Sequence, residues 1–168
     1  VTRICLVGSP EVNLRYELLS RETSREALAT YDLERPFENA LAVRTVSVGG
    51  AVSLLNDLQW YIVRFVEEVL VHDPSVSETE WLSRELAEAL RTGEVDPEET
   101  GELLKLYGLE TPETETDAEG GTTAQLHDRP RLVEPLYLRR TDGEVPEYDL
   151  RDVSETLAVR LTEAEFTP

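Results

Sequence analysis

The sequence predicts one α+β domain, and three observations carry that prediction. The short run from Arg3 to Val7, ended by Gly8, reads as a central strand covered on both faces. From Ala51 to His72, the residues Leu54, Leu55, Leu58, Ile62, Phe65, Val66, Val69 and Leu70 cover more than half a helix circumference, which predicts a central buried helix. Near the end, Leu132 to Arg140 and Glu144 to Tyr148 flank Thr141-Asp142-Gly143, a hairpin signal, and Thr156 to Leu161 adds a last strand.

After the first strand, Ser9-Pro10-Glu11 signals a helix start, with Ser9 as cap and proline at the first helical position. Val12, Tyr16 and Leu19 share one face, but Ser20 to Glu26 is polar, so two shorter helices before Tyr31 fit as well as one. Ala40 to Val48 reads as the second strand, ended by Gly49-Gly50. Joined to the first by a helical crossover, it is expected to lie parallel to it, as a right-handed β-α-β start.

Ser77-Glu78-Thr79-Glu80 has the form of a capping box, with Val76 and Trp81 placed as a hydrophobic staple, before a helix carrying Leu82, Leu86 and Leu90 and stopped by Gly93. Asp96-Pro97-Glu98-Glu99 repeats the start signal for a second short helix with Leu103, Leu106 and Tyr107 on its face and Gly108 at its end. Pro135 and Pro146 favour edge positions in the closing strands. The expected organisation is a β-α-β and helical core over 1–109, an acidic flexible loop over 110–128, and a β segment over 129–168 completing a mixed sheet on the same domain. The tripeptide Ser-Arg-Glu recurs at residues 20, 24 and 83 without the surrounding similarity of a structural repeat.

At 168 residues a single core is expected, burying roughly 70% of the unfolded surface. Hydrophobic residues make up 40% and charged residues 30%, enough apolar content for a packed interior. The lone cysteine, Cys5, sits inside the first apolar run, where a buried core role outweighs a reactive thiol. No signal-peptide pattern opens the chain, and Asp57, Arg64, Glu67 and Glu68 interrupt its longest apolar-rich stretch, so neither export nor a membrane span is expected.

Charge is the strongest compositional signal: 35 acidic against 16 basic residues give a formal net charge of −19, far past what solubility requires. Of the basic residues only Lys105 is a lysine and fifteen are arginines. That bias fits a cytoplasmic protein of a cell holding molar salt, where a Debye length of about 3 Å screens the repulsion. The charge is uneven: residues 1–47 carry six basic and seven acidic groups, while 94–128 carry one basic and eleven acidic groups. The N-terminal third therefore reads as core or contact surface.

Two segments, Cys5-Leu6-Val7-Gly8-Ser9-Pro10-Glu11-Val12-Asn13-Leu14-Arg15-Tyr16 and Asn56-Asp57-Leu58-Gln59-Trp60-Tyr61, resemble those of a small haloarchaeal protein family that has no assigned function. The resemblance implies salt adaptation and a cytoplasmic location, and it carries no catalytic or binding residue.

Parallel neighbouring strands would place Gly8 and Ser9 beside Ser47, Gly49 and Gly50 at one sheet edge, where ligands of open α/β sheets gather. Free backbone N–H groups there, with Ser9, Asn13, Ser47 and Ser53, would suit an anionic metabolite. The glycines lack both the dinucleotide fingerprint and the phosphate-loop pattern, and turn geometry alone accounts for them. His72 and His127 each precede an aspartate, but their spacing matches no metal-ligand pattern, so no metal and no cofactor is expected. With 35 acids, among them the adjacent Glu67 and Glu68, no carboxylate pair singles itself out for acid–base work, and no Gly-x-Ser-x-Gly elbow is present.

Arg129, Arg131, Arg139 and Arg140, with Tyr137 among them, form a basic cluster suited to phosphate or stacked bases. Counterion-driven affinity collapses in molar salt, so strong nonspecific nucleic-acid binding is not expected. Trp60 and Arg64, four apart on a helix, fit a cation–π pair, with core packing favoured over a partner anchor for the tryptophan. The residues favour a non-enzymatic protein-interaction or regulatory module, partnered by another protein or by a second copy. A small enzyme or sensor at the Gly8/Gly49 edge and an RNA-associated factor using Arg129 to Arg140 are the alternatives.

Overall fold

The structure, a computed structural model, describes residues 1–110, 131–139, 155–162 and 165. It is an α+β domain whose elements run β1 (Thr2–Gly8), α1 (Leu14–Leu19), α2 (Glu22–Leu28), β2 (Ala40–Thr45), α3 (Val48–Asp57), α4 (Gln59–Phe65), β3 (Val66–His72), β4 (Trp81–Ser83), α5 (Arg84–Thr92), β5 (Leu103–Glu110), β6 (Arg131–Arg139) and β7 (Glu155–Arg160). The described strands form one mixed sheet in the order β2-β1-β3-β4-β7-β5-β6, in which only β4 and β7 run parallel.

The first strand and its burial agree with the apolar run: Ile4, Cys5 and Leu6 are buried, with alternate side chains entering different cores. The parallel β-α-β start is corrected. β2 lies beside β1 but antiparallel, with Thr2 opposite Thr45 and Val7 opposite Ala40. The two short helices return the chain to the end of β1 it had just left, so the crossover rule for parallel strands has nothing to act on. Ser9 does not cap a helix; Asn13 does, accepting the Tyr16 N–H at 3.1 Å.

The central helix expected over Ala51 to His72 is two helices and a strand. Leu58 breaks the helical path between α3 and α4, and from Val66 the chain becomes β3, the strand that pairs with β1 on its other side. Leu70 and Val71 are fully buried and belong to cores on opposite faces. A strand covered on both faces shows an unbroken apolar run, which helical spacing fits equally well.

Ser77 does accept from the Glu80 N–H at 3.0 Å and the Thr79 N–H at 3.3 Å, but this caps a turn rather than a helix. The Glu80 carboxylate takes the Arg160 Nε proton at 2.7 Å, and Arg160 Nη1 donates to Thr100 Oγ1 at 2.9 Å, so β7 and this turn are tied together. Helix α5 starts later, with Ser83 capping through the Leu86 N–H, and it ends at left-handed Gly93 (φ 81°) as expected. The helix expected after Asp96 is a single 3-10 turn at Pro97–Glu99; Leu103, Leu106 and Tyr107 belong to β5.

Helices α1 to α5 cover one face of β1, β2 and β3 around Leu14, Leu18, Leu55 and Leu58. On the other face Cys5, Val7, Ala42 and Leu70 pack with Leu103, Leu109, Leu157 and Val159 from the far strands. The sheet therefore curls, bringing β5 and β7 over the back of β1 and β3. Strand β7 bears out the last strand read from the sequence and lies between β4 and β5. Strand β6, with Pro135, is one of the two edge strands of the described sheet and slips register between Leu106 and Gly108 of β5. The Thr141-Asp142-Gly143 hairpin, Pro146, and the loop beyond Glu110 lie outside the described residues. No helix among the described residues is long and apolar enough to cross a membrane.

Candidate functional site

The curl leaves an open cleft of about 980 Å³ where the end of β1 and the start of β3 meet β5 and β6. Its polar floor is built by a local irregularity. Val7 pairs with Glu68 and Gly8 with Val66, so Glu67 is an extra residue in a β-bulge. Adjacent residues of a regular strand point to opposite faces, yet here Glu67 and Glu68 both line the cleft.

On β5, Lys105 and Tyr107 are two apart and so share a face, and Tyr137 of β6 stands directly opposite Lys105. The Lys105 ammonium and the Tyr107 hydroxyl both donate to the same Glu68 carboxylate oxygen. The Lys105 and Glu68 side chains are only 12% and 14% exposed, so this pair is little screened by solvent. The ammonium also lies 5.3 Å from the Tyr107 ring centre. Burial, together with the negative charge and hydrogen bond of Glu68, holds the Tyr107 phenol far above its ordinary value, so the hydroxyl stays a donor. Val12, Leu132, Val133 and Pro135 supply apolar wall.

Three of the residues expected at an anion edge lie at this end. Gly8 and Asn13 line the cleft, and Ser9 sits between them, its carbonyl taken by Asn39. Gly8 is required by packing: a Cβ there would stand 2.7 Å from Asn39 Nδ2 and 2.8 Å from Leu14 Cβ. Asn39, left-handed at φ 55°, clamps the segment, accepting from Leu14 N at 2.9 Å and donating to the carbonyls of Ser9 at 3.0 Å and Val12 at 2.9 Å.

Ser47, Gly49, Gly50 and Ser53 are not brought to that end. Because β1 and β2 are antiparallel, the start of α3 lies at the opposite end of the pair, roughly 17 Å away along the strands. Ser47 caps α3 through the Gly50 N–H at 3.1 Å, Gly49 and Gly50 form its first turn, and Ser53 is exposed beyond. The two loops share no crevice, so the joint anion edge is corrected by the strand direction.

Of the arginine cluster, Arg131 and Arg139 mark the two ends of β6, and Arg139 donates to Glu102 at 2.9 Å; Arg129 and Arg140 lie outside the described residues. His72 Nε2 lies 3.0 Å from the Glu78 carbonyl, which makes it the protonated nitrogen, and its ring tilts against Trp81. His127 lies outside the described residues. Among the described residues no group of three or more His, Cys, Asp or Glu is placed to hold a metal ion.

Sequence reasoning missed Lys105 and Tyr107 by placing them on a helix, and left Glu67 and Glu68 among the undifferentiated acids. A usable signal was present: the chain's one lysine, two residues before a tyrosine, has the spacing of one strand face. Away from the cleft, the Arg64 guanidinium lies 3.8 Å from the centre of the Trp60 ring, as the four-residue spacing predicts, and Arg21 lies 5.5 Å from it. Trp60 is 48% exposed, however, and not a core residue.

Residues 2–109 match the model of a family of unknown function (DUF5804). The match spans β1 through most of β5, including Glu67, Glu68, Lys105 and Tyr107, and stops before β6. No curated protein and no solved structure matches the chain.

Proposed function

The chain belongs to the DUF5804 family, which carries no assigned activity, and from the geometry of the cleft we propose that it is a small-molecule-binding module, a sensor or regulator. The observation that carries this reading is the Lys105–Glu68–Tyr107 cluster set in the wall of a cleft of about 980 Å³, at the upper end of the range of ligand pockets. Polar groups fixed by mutual hydrogen bonds beside an apolar wall are what orient a small organic ligand. The site of the sensor reading thus moves from the glycine loops to the curl of the sheet.

The working environment in this proposal is a cytoplasm of molar salt, as in a haloarchaeal cell. The net charge of −19 and the near-absence of lysine support it. In such a medium contact geometry, rather than long-range attraction, selects the ligand. Backbone amide spectra in molar potassium chloride, recorded against a library of small metabolites, test the cleft: shifts should gather at Val7, Asn13, Tyr107 and Val133. A library whose hits move only residues remote from these would sink the proposal.

A second reading, a protein-interaction surface, is favoured by one observation. Trp60 is half exposed between Arg64 and Arg21, with Val63 on the same helix 67% exposed, and aromatic and arginine residues anchor interfaces. A partner protein or a second copy captured by the native chain in molar salt, and lost on Trp60→Ala, would support it.

A further inference from the structure

The bulge at Glu67 has a chemical consequence, which rests on the cleft being the ligand site. Of the two glutamates it turns toward the cleft, Glu68 is satisfied by Lys105 and Tyr107. Glu67 is exposed and makes no ion pair or hydrogen bond among the described residues, and the same holds for Glu38 across the opening. Two aromatic rings border the cleft, Tyr107 half-buried and Tyr137 51% exposed. The apolar wall is continuous with them through Val133 and Pro135.

We propose that the cleft binds an organic cation, with its ammonium group against the Glu67 carboxylate and the tyrosine rings and its apolar body along Val133 and Pro135. A carboxylate fixed beside aromatic faces attracts a substituted ammonium by Coulomb and cation–π terms together, and aromatic rings select an organic cation over a bare metal ion by burying its carbon surface. Lys105 does not repel such a ligand strongly, because Glu68 already neutralises it at contact distance. An anionic ligand, by contrast, meets Glu38 and Glu67 at the opening, and of the two cations on the lining Lys105 is held by Glu68 and Arg35 has an interaction of its own. The described residues hold no group of three metal-ligating side chains there.

Three probes that share a phenol ring and differ in charge test this: tyramine, 4-ethylphenol and 3-(4-hydroxyphenyl)propionate, titrated in molar potassium chloride while amide shifts and heat are followed. Tyramine should bind at the cleft and the carboxylate should not. Glu67→Gln, at an exposed position, should keep the thermal transition and weaken tyramine about fivefold. Tyr137→Leu should weaken it about threefold. Equal or tighter binding of the neutral or anionic probe, or unchanged tyramine affinity in Glu67→Gln, overturns the cation assignment while leaving the cleft as the ligand site. Absence of cleft shifts with all three probes overturns both.

Discussion

The Tyr107 hydroxyl on β5 donates to the Glu68 carboxylate on β3, although β4 and β7 stand between those strands in the sheet. A side-chain bond that skips two strands is possible only because the sheet curls, and with Lys105 it fastens the curl at the cleft. Glu68→Gln removes the charge that holds Lys105 and leaves a little-exposed ammonium without its partner. A loss of about 1–3 kcal/mol is expected, measured by denaturant unfolding. The double variant Glu68→Gln/Lys105→Met should recover part of it, because no charge is then left unpaired. A single-variant loss within error of zero would show that the cluster does not hold the curl.

Alkaline pH should weaken the fold through two groups. The folded chain keeps the Tyr107 proton well above the ordinary value of 10.0, and burial pushes the Cys5 thiol from 9.0 up to about 12. Above these ordinary values the unfolded chain has released protons that the folded chain retains, so stability falls as pH rises. Both contributions are intact below pH 9 and are lost progressively above it, by up to about 1.4 kcal/mol per pH unit for each group. Unfolding free energies between pH 8 and pH 11 should decline, and Tyr107→Phe and Cys5→Ala should each flatten the decline. The same burial predicts that thiol reagents modify Cys5 only at the rate at which the fold opens.

The contact between Gly8 and Asn39 gives an expectation opposite to that of an anion loop. If Gly8 served a bound anion, a larger side chain would abolish binding and leave the fold intact. Its Cβ instead collides with the Asn39 amide and with Leu14, so Gly8→Val should destabilise by about 1–3 kcal/mol. Asn39→Ala should cost a similar amount, since Leu14 N and the Ser9 and Val12 carbonyls lose their partner and a left-handed backbone position loses a tolerant residue. Thermal unfolding of the two variants decides between packing and binding roles.

How far the sequence revealed the fold depended on whether one face of an element is exposed. Cys5 and its strand, the end of α5 at Gly93 and β7 were legible, because a breaker or a short run marks each; the start of α5 was not, since the Ser77 box caps a turn, and the two short helices stood as one of two readings. Strand β3 was read as a helix because Leu70 and Val71 are buried on both faces and leave no polar alternation to reveal a two-residue period. Strand β5 was read as one because Leu103, Leu106 and Tyr107 also fit helical spacing, although Lys105 and Tyr107 share the two-residue period of a strand face. Nothing between Phe65 and Val66 stops a helix in the sequence; the change to strand comes from pairing with β1. The cleft was legible only in parts. Gly8 and Asn13 were marked, but Glu68, Lys105 and Tyr107 meet through the curl, a relation between strands 37 and 39 residues apart that no local pattern encodes.

Salt should control stability through charge that the fold brings close. Folding gathers 35 acidic and 16 basic residues into one domain, so acidic groups kept apart in the unfolded chain repel within it. At 0.1 M salt the Debye length is about 10 Å and neighbouring surface carboxylates interact; at 1 M it is about 3 Å and they scarcely do. The unfolding temperature should therefore rise between dilute and molar potassium chloride. The buried pairs Lys105–Glu68 and Arg160–Glu80 are little exposed and lose less to screening than surface pairs, so they do not reverse the trend. Replacing exposed acids such as Glu98 and Glu99 with glutamine should raise the midpoint in dilute salt and leave it nearly unchanged in molar salt. A midpoint independent of potassium chloride in the native chain would mean that the acidic surface is stabilised by something other than screening, and the molar-salt environment would lose its physical basis.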